Sequence, residues 1–269
     1  MSSLGQVALI TGASSGFGRE AARELARRGW RVFGTSRTPA ADELDGFRLL
    51  ALDVRRDESV RQCVEQCLPA AGRLDLLVNN AGYVLNGFAE ECGIDQVHHI
   101  FETNFFGAVR LVQAVLPIMR QQGGGRIINV GSLAGRVGVP YRSFYSATKF
   151  ALEGYSESLS YELRRFNIRV SLIEPGFFHT NLDQAAVPAA RPLTPYDPIR
   201  HVAGRYFEQG VRRGGDPALV GRLIADVAEH PRPCLRYRLG RDAVWLLRVR
   251  PLLGDRLYGW AVRKRFKLS

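Results

Sequence analysis

Short apolar segments recur along this chain of 269 residues, each separated from the next by a segment of helical length. Residues 7–11 form the first, and an amphipathic Arg/Glu/Ala pattern follows at residues 19–28. The alternation returns at residues 31–35, 48–52, 74–79, 126–130 and 168–173. Strands that alternate with helices pair in parallel through right-handed crossovers. The pattern predicts a single α/β domain, a doubly wound parallel sheet with helices on both faces.

Polar or glycine residues follow each predicted strand. In a doubly wound sheet, ligands bind beyond the carboxyl ends of the strands. The residues placed there are Thr11, Gly12, Arg37, Asp53, Asn80, Ser132 and Pro175. The sequence therefore predicts one ligand-binding crevice at this edge of the sheet.

The turn after the first strand reads Thr11-Gly-Ala-Ser-Ser-Gly16-Phe-Gly18. Glycines allow a sharp turn and let backbone N–H groups approach a pyrophosphate, which the following helix N-terminus also attracts. Close packing of strand and helix would explain the glycines without a ligand. The strand before and the helix after favour a Rossmann-type dinucleotide site. Asn79-Asn-Ala-Gly82 supplies a second turn facing the same crevice.

Cofactor preference is predicted from residues 34–38. Sites for the unphosphorylated cofactor place an acidic residue about 20 positions beyond the glycines. This stretch holds no acid, whereas Arg37 can pair with a 2′-phosphate and Ser36 can donate a hydroxyl. We therefore expect NADP(H) to be preferred over NAD(H). Asp53 has two interpretations: it accepts a hydrogen bond from the adenine amino group, or it caps the helix beginning near Glu58.

Tyr145 and Lys149 stand four residues apart, which places both on one face of a helix. An ammonium beside a phenol favours the ionised phenol, and we expect Lys149 to lower the pKa of Tyr145 from its ordinary value near 10. A phenol adjusted in this way serves as an acid or base at neutral pH. Tyr141, Tyr155 and Tyr161 have no lysine at the same spacing.

Three motifs together resemble the classical short-chain dehydrogenase/reductase family: Thr-Gly-xxx-Gly-x-Gly, Asn-Asn-Ala-Gly and Tyr-xxx-Lys. The resemblance covers roughly residues 5 to 240. Within the family the chain looks most similar to the hydroxysteroid and retinol dehydrogenase-like branch. The resemblance implies an oxidoreductase that interconverts a ketone or aldehyde and an alcohol, with NAD(P) as the hydride carrier.

The resemblance places four catalytic residues in this chain. Tyr145 would donate the proton, Ser132 would hydrogen-bond the substrate oxygen, Lys149 would stabilise the tyrosinate and reach the nicotinamide ribose, and Asn104 would hold a water that resupplies the proton. From the residues alone, Ser132 also fits a strand-to-loop position, and Asn104 fits a surface amide.

The resemblance also implies a cofactor-binding set. In the turn at residues 175–180, the Phe178 N–H and the Thr180 hydroxyl would hold the nicotinamide carboxamide, while His179 is not expected to act as an acid. The predicted set is Gly12, Ser14, Ser15, Gly16, Phe17, Gly18, Ser36, Arg37, Asp53, Val54, Asn80, Ala81, Gly82, Asn104, Tyr145, Lys149, Pro175, Gly176, Phe178 and Thr180. No metal site is predicted.

Two segments are assigned to the substrate side. Residues 177–216 lose regular periodicity and are expected to form an irregular substrate lid or insertion. Residues 241–269 form a basic tail that either closes over the substrate cleft or contacts an anionic membrane surface. The substrate is expected to be lipophilic, steroid- or retinoid-like, and a pocket wall is one interpretation of Tyr141, Phe144, Tyr196, Tyr206 and Phe207, packing in the core being the other.

Net charge and targeting signals indicate which other partners, functions and locations are expected. The net charge is +11, and residues 201–269 hold 15 Arg or Lys against 6 Asp or Glu. Neither a zinc module nor a helix-turn-helix accompanies this charge, so nucleic acid is not an expected partner. A non-catalytic nucleotide-sensing regulator is the alternative function. With no signal peptide or apolar span, a cytoplasmic enzyme is expected, and the resemblance implies a homodimer or homotetramer.

Overall fold

The computed structural model describes residues 5–183 and 185–268, without the side chains of residues 69–71. Residues 1–4, on which part of the signal-peptide expectation rests, lie outside the described residues. The strand at residues 7–10 is apolar on both faces of the sheet. Val7 and Leu9 pack into one apolar cluster, and Ala8 and Ile10 pack into another. Successive side chains of a strand point to opposite faces, so an unbroken apolar run requires helices on both sides.

Ten strands are present in the described part of the chain. They are β1 (Val7–Ile10), β2 (Arg31–Ser36), β3 (Glu43–Leu44), β4 (Phe47–Ala51), β5 (Leu76–Asn79), β6 (Leu85–Asn86), β7 (Gly125–Val130), β8 (Ile168–Pro175), β9 (Val187–Pro188) and β10 (Arg236–Leu239). Eight form the main sheet in the order β10-β8-β7-β5-β1-β2-β4-β3, and β6 pairs with β9 separately. Within the main sheet only the short β3–β4 pairing is antiparallel among the described strands. The predicted parallel doubly wound sheet is confirmed.

Eight α-helices connect and cover these strands in the described residues. They are α1 (Gly16–Arg27), α2 (Asp57–Ala71), α3 (Ile94–Phe101), α4 (Gly107–Gln121), α5 (Ser143–Glu162), α6 (Asp197–Arg212), α7 (Pro217–Glu229) and α8 (Arg241–Phe266). Side chains of α1 and α7 fill the core on one face of the sheet, and those of α2, α4 and α5 fill the core on the other. Helices therefore cover both faces, as predicted.

The segment at residues 177–216 differs from the irregular stretch expected from sequence. It contains the sixteen-residue helix α6, whose buried residues are Ala203 and Phe207. Its apolar positions Ile199, Ala203 and Phe207 recur every four residues on the face that packs inward, so the segment is more regular than predicted. Glu91 holds the preceding loop: this fully buried carboxylate accepts hydrogen bonds from the Leu193 N–H at 2.8 Å and from Arg200 at 2.6 Å.

Helix α8 folds back toward α6. Its backbone leaves helical geometry at Gly254, where φ is 61°. Beyond that point Phe266 is buried in a cluster with Ala203 and Phe207, and Tyr206 packs against the cluster. The tail therefore packs beside the predicted lid. Within residues 5–183 and 185–268, no helix combines the length and apolar character needed to cross a bilayer.

Candidate active site

Tyr145 and Lys149 lie one turn apart on α5, and both are buried. The Lys149 Nζ donates a hydrogen bond of 2.8 Å to the Val130 carbonyl at the end of β7. The same nitrogen lies 5.8 Å from the centre of the Tyr145 ring. The end of β7 therefore fixes the ammonium close to the phenol, at the carboxyl edge of the sheet.

Burial has the largest influence on both titrating groups. It raises the pKa of Tyr145, and a hydrogen bond with the Ser132 side chain acts in the opposite direction. Burial also lowers the pKa of Lys149 to about 8. The expected low pKa of Tyr145 is therefore wrong for this structure, because desolvation of the tyrosinate outweighs the groups that favour its ionised form.

Ser132 follows β7 in extended backbone, with φ of −170°. Its Oγ accepts a 3.1 Å hydrogen bond from the Ala134 N–H and so caps the short turn that follows. The Ser132 side chain also lies close enough to Tyr145 to act on the pKa of the phenol. The capping bond therefore orients a hydroxyl that lies near the phenol.

Asn104 is buried in a π-helical turn, Glu102–Phe106, between α3 and α4. Its Oδ1 accepts from the Tyr83 N–H at 3.0 Å, and its Nδ2 donates to the Tyr83 carbonyl at 2.9 Å and to Thr148 Oγ1 at 3.3 Å. The surface-amide interpretation is therefore wrong. Asn104 and Lys149 both line a small cavity with room for about one water molecule. Sequence reasoning missed Thr148, although it directly precedes Lys149.

The glycine turn between β1 and α1 has the geometry that a pyrophosphate requires. Gly12 and Gly16 have φ of 66° and 57°, in the left-handed region that favours glycine. A Cβ on Gly18 would lie 2.4 Å from the Gly12 carbonyl oxygen. Within the described residues, the N-cap Ser15 makes no side-chain capping bond and the first turn of α1 carries no acid. The backbone N–H groups at the start of α1 are therefore suited to bind an anion.

Polar bonds join the two turns at the point where the strand order reverses. Thr11 Oγ1 accepts from the N–H groups of Asn80 and Ala81, each at 2.9 Å. Asn80 Nδ2 donates to the Gly12 carbonyl at 3.0 Å. Gly82 packs against Asn104, since a Cβ there would lie 3.1 Å from Asn104 Oδ1. The glycine turn, the second turn and Asn104 thus form one connected wall of the crevice.

The residues after β2 and β4 form the next part of the site. Arg37 is exposed directly after β2. Asp53 accepts hydrogen bonds from the Arg55 side chain at 2.9 Å and 2.6 Å, and the guanidinium of Arg55, with a smaller effect of Arg37, lowers its pKa. The N-cap of α2 is Arg56, so the interpretation of Asp53 as the cap of this helix is wrong. Val54 is buried against Gly107 of α4.

The turn after β8 meets the glycine turn. Phe178 is buried and contacts the Phe17 ring edge to face at 5.4 Å. Thr180 is the nearest residue to the Gly16 Cβ position, at 3.9 Å, while His179 is exposed. This geometry brings the predicted carboxamide turn, beginning at Pro175, to the start of α1.

A carboxylate from α8 closes the same turn. Asp242 Oδ2 accepts from the Phe177 N–H at 2.9 Å, and a Cβ on Gly176 would lie 2.1 Å from Asp242 Oδ1. Sequence reasoning missed Asp242, because nothing in the chain marks a partner that lies 65 residues away from Phe177.

Two buried carboxylates, Glu153 of α5 and Glu174 of β8, lie close to Arg236. Arg236 Nε is 3.0 Å from Glu153 Oε2 and 3.5 Å from Glu174 Oε1. Burial, with the nearby charge of Glu174, raises the pKa of Glu153 to about 6. Glu153 follows Lys149 by one helical turn, and its charge acts to raise the Lys149 pKa against the effect of burial.

The substrate side of the crevice is largely aromatic. Phe88 stacks on Tyr196 with ring centres 4.4 Å apart, and Phe144 packs with the cluster that contains Tyr145. Arg142, the residue before α5, donates to Asn86 Oδ1 at 3.0 Å and forms an ion pair with Asp183. Its guanidinium carbon lies 3.5 Å from the centre of the Phe207 ring.

Arg142 links three parts of the structure: β6, the segment after β8, and α6. Of the aromatic residues predicted either for a pocket wall or for the core, Tyr206 and Phe207 pack α6 against α8, as the core interpretation expects. Arg142 and Asp183 were not singled out from the sequence. The sequence feature that could have pointed to Arg142 is its position immediately before the Ser143–Lys149 stretch.

A doubly wound sheet whose switch point carries a glycine turn, with serine, tyrosine and lysine beside it, defines a dinucleotide-dependent oxidoreductase site. The sequence profile of the family described as short chain dehydrogenase matches residues 6–190. The chain belongs to this family and is an oxidoreductase acting on CH–OH groups with NAD(P).

Two relatives of this chain have named activities. A 3-ketodihydrosphingosine reductase from Bacteroides thetaiotaomicron is 38% identical over 96% of this chain and 97% of its own length. Retinol dehydrogenase 8 from Bos taurus is 40% identical over 86% of this chain and 80% of its own length. The similarity to the second relative agrees with the predicted retinol dehydrogenase-like branch.

Two solved structures share the fold over nearly the whole chain. A short-chain dehydrogenase from Streptomyces avermitilis superposes with a TM-score of 0.84 at 36% identity, covering 98% of this chain and 99% of that one. A short chain dehydrogenase/reductase from Burkholderia phymatum in complex with NAD gives a TM-score of 0.79 at 27% identity, covering 91% and 92%.

Proposed function

We propose that this protein interconverts a lipophilic ketone or aldehyde and its alcohol with NADP(H), using Tyr145 as the acid and base. The observation that carries the proposal is that Tyr145 and Lys149 are both buried one helical turn apart on α5, with the Lys149 Nζ held at the end of β7 and 5.8 Å from the centre of the Tyr145 ring. A nucleotide-sensing regulator needs no such group. The buried tyrosine and lysine therefore favour catalysis over the alternative of sensing.

Each residue has a defined task in the reduction. A nicotinamide cofactor held at the glycine turn would supply the hydride for the carbonyl carbon. Tyr145 donates the proton to the carbonyl oxygen, and Ser132 hydrogen-bonds that oxygen as negative charge develops on it. Lys149, whose pKa is about 8, is mostly protonated at neutral pH and stabilises the tyrosinate. A water beside Asn104 and Lys149 resupplies the proton, and the oxidation follows the reverse path.

The preference for NADP(H) rests on this chain's own residues. Ser36 ends β2 and Arg37 follows it, where a 2′-phosphate would lie, and residues 34–38 contain no carboxylate to repel it. Arg37 is exposed and therefore accessible to a phosphate. The Burkholderia phymatum neighbour binds NAD, so the family fold is compatible with either cofactor.

Two observations support a lipophilic substrate. Tyr145 packs in a cluster of apolar and aromatic residues that includes Val84, Leu85 and Phe144, which gives the phenol apolar surroundings. The two named relatives act, by their names, on retinol and on 3-ketodihydrosphingosine, which are both hydrophobic lipids. Residues 177–216 would cover such a substrate as a lid. Assembly as a homodimer or homotetramer and a cytoplasmic location stay predictions from the sequence.

The substitution Tyr145→Phe tests the proposal, with Tyr161→Phe as the matched control because Tyr161 is exposed on the same helix. Steroid, retinoid and long-chain ketones are screened with NADPH to find a turnover substrate. We expect Tyr145→Phe to reduce kcat by about 10²–10⁴-fold, the usual contribution of a positioned acid, while NADPH binding and the control remain unchanged. An unchanged rate of ketone reduction in Tyr145→Phe contradicts the proposed mechanism.

A further inference from the structure

Helix α8 carries large apolar side chains that the rest of the protein leaves exposed. Trp245 is 66% exposed, Leu252 83%, Leu257 52% and Trp260 52%. Among the described residues of this helix, the buried ones are Ala243, Leu247 and Phe266. The helix also lies outside residues 6–190, which the family profile matches. A 26-residue helix with so little contact to its own core has a surface suited to another partner.

The exposed residues are arranged along the surface of each half of the helix. Trp245 and Leu252 are seven residues apart, and Leu257 and Trp260 are three apart, so each pair shares a helical face. The backbone break at Gly254 separates the two halves.

Basic residues accompany this apolar surface. Residues 241–268 contain eight Arg or Lys against two Asp. The Lys264 Nζ lies 4.9 Å from the centre of the Trp260 ring, and Arg256 and Arg263 are exposed nearby in sequence. We call Trp245, Leu252, Leu257 and Trp260, with these three cations, the basic aromatic face.

We propose that the basic aromatic face docks on the surface of an anionic phospholipid bilayer. Tryptophan and leucine bury favourably at the boundary between headgroups and acyl chains, and lysine and arginine bind the anionic headgroups. Both features of the face are satisfied by this one partner.

Charge argues against the other occupants of this surface. A second copy of α8 would bring together two helices that each carry a surplus of five positive charges. A nucleic acid would pair with the cations, but its phosphate backbone gives Leu252 and Leu257 no apolar environment. An anionic bilayer offers both the negative charge and the apolar layer.

Docking would also bring the substrate side close to lipid. Phe266, near the end of α8, packs with Phe207 of α6 inside the segment proposed as the lid. A hydrophobic substrate dissolved in the bilayer would then enter beside α6. This last link rests on the proposed function, whereas the docking itself does not.

Tryptophan fluorescence gives a direct test, because the chain has three tryptophans and Trp30 is buried in the core. The full chain is mixed with vesicles of phosphatidylcholine alone or with phosphatidylglycerol. We expect a blue shift, and quenching by lipids brominated on the acyl chains, with the anionic vesicles at low salt, and loss of both at high salt. The variant Trp30→Phe confines the signal to Trp245 and Trp260, and vesicle flotation of the unmodified chain gives an independent measurement.

Substitutions on exposed positions identify the surface. Each charge removed by Arg256→Gln and Arg263→Gln is expected to weaken binding about fivefold, the effect of one cation near an anionic bilayer. Trp245→Ser with Trp260→Ser is expected to abolish vesicle binding, which is measured by flotation because these substitutions remove the fluorescent reporters. The matched control is Ile94→Ser with Tyr161→Ser, at positions that are 67% and 69% exposed elsewhere on the protein.

Several outcomes overturn the proposal. The docking proposal is wrong if the protein does not co-float with anionic vesicles at low salt. It is also wrong if the α8 variants and the control bind these vesicles equally. A change of oligomeric mass in the α8 variants, without vesicle binding, would show that a second copy covers the face. All variants should keep unmodified turnover of a small water-soluble ketone, so failure to dock is distinguishable from failure of the proposed catalysis.

Discussion

The ion pair between Arg142 and Asp183 is predicted to hold the substrate side of the site together, and its removal should loosen the lid without affecting the cofactor. The Arg142 side chain is 8% exposed and that of Asp183 is 22% exposed. Arg142 also stacks on Phe207 and binds Asn86. Arg142→Met therefore removes one partly buried ion pair, one stacking contact and one hydrogen bond, and leaves Asp183 without its partner.

The magnitude follows from these exposures. Breaking a fully buried pair costs about 3–5 kcal/mol, and water that reaches Asp183 reduces that cost. We expect Arg142→Met to lower the free energy of unfolding by about 2–3 kcal/mol. For a chain of this size the Tm should fall by about 4–12 °C. In a double-mutant cycle with Asp183→Asn, a coupling free energy of at least about 1 kcal/mol is expected.

Urea unfolding of the single and double variants measures the coupling, and hydrogen exchange over residues 178–200 measures the opening of the lid. The KM for the ketone should rise, while the Kd for NADPH stays constant because Arg142 lies outside the glycine turn. Additivity of the two substitutions within about 0.5 kcal/mol would refute the reasoning, since independent sites behave in that way. Equal losses of ketone and NADPH binding would also contradict it.

Two further predictions concern charge. Arg37→Asp should weaken NADPH binding about 10–100-fold relative to NADH binding, because it removes one charge-assisted contact with the phosphate. Fluorescence titration with both cofactors measures the change. Equal losses of affinity for the two cofactors would exclude a 2′-phosphate contact. Because the pKa of Glu153 is raised to about 6 from 4.5, the stability that its protonated form contributes is complete below pH 4.5 and is lost as the pH rises through 6. The non-titrating variant Glu153→Gln should therefore gain about 1–2 kcal/mol of stability relative to the unmodified protein across this window, measured by urea unfolding on both sides of it; a constant difference at all pH values would contradict the assignment.

The sequence was sufficient for features that depend on local pattern. Continuous apolar runs such as residues 7–11 predict strands buried on both faces, and the glycine spacing from Gly12 to Gly18 predicts the turn between β1 and α1. The positions of Ser132, Tyr145 and Lys149 at one edge of the sheet also followed, since parallel strands place their carboxyl ends together.

Features that depend on distant partners were not predictable in this way. Arg142 and Asp183 are 41 residues apart, and Arg236 and Glu153 are 83 apart. The pKa of Tyr145 was predicted in the wrong direction because helical spacing fixes which face a side chain occupies, but not its depth or the carbonyl that its neighbour binds. Helix α6 was missed, although Ile199, Ala203 and Phe207 recur every four residues, because the prolines and glycines of residues 177–216 indicated irregular structure.

The contact between Gly176 and Asp242 constrains how this protein can diverge. The turn after β8 lies inside the region common to the family, whereas Asp242 lies in a helix outside it. A relative that acquires a different C-terminal helix loses the acceptor of the Phe177 N–H, and a Cβ at position 176 then no longer meets a carboxylate. A larger residue at position 176 would therefore require a different residue at position 242, although 65 residues of chain lie between the two.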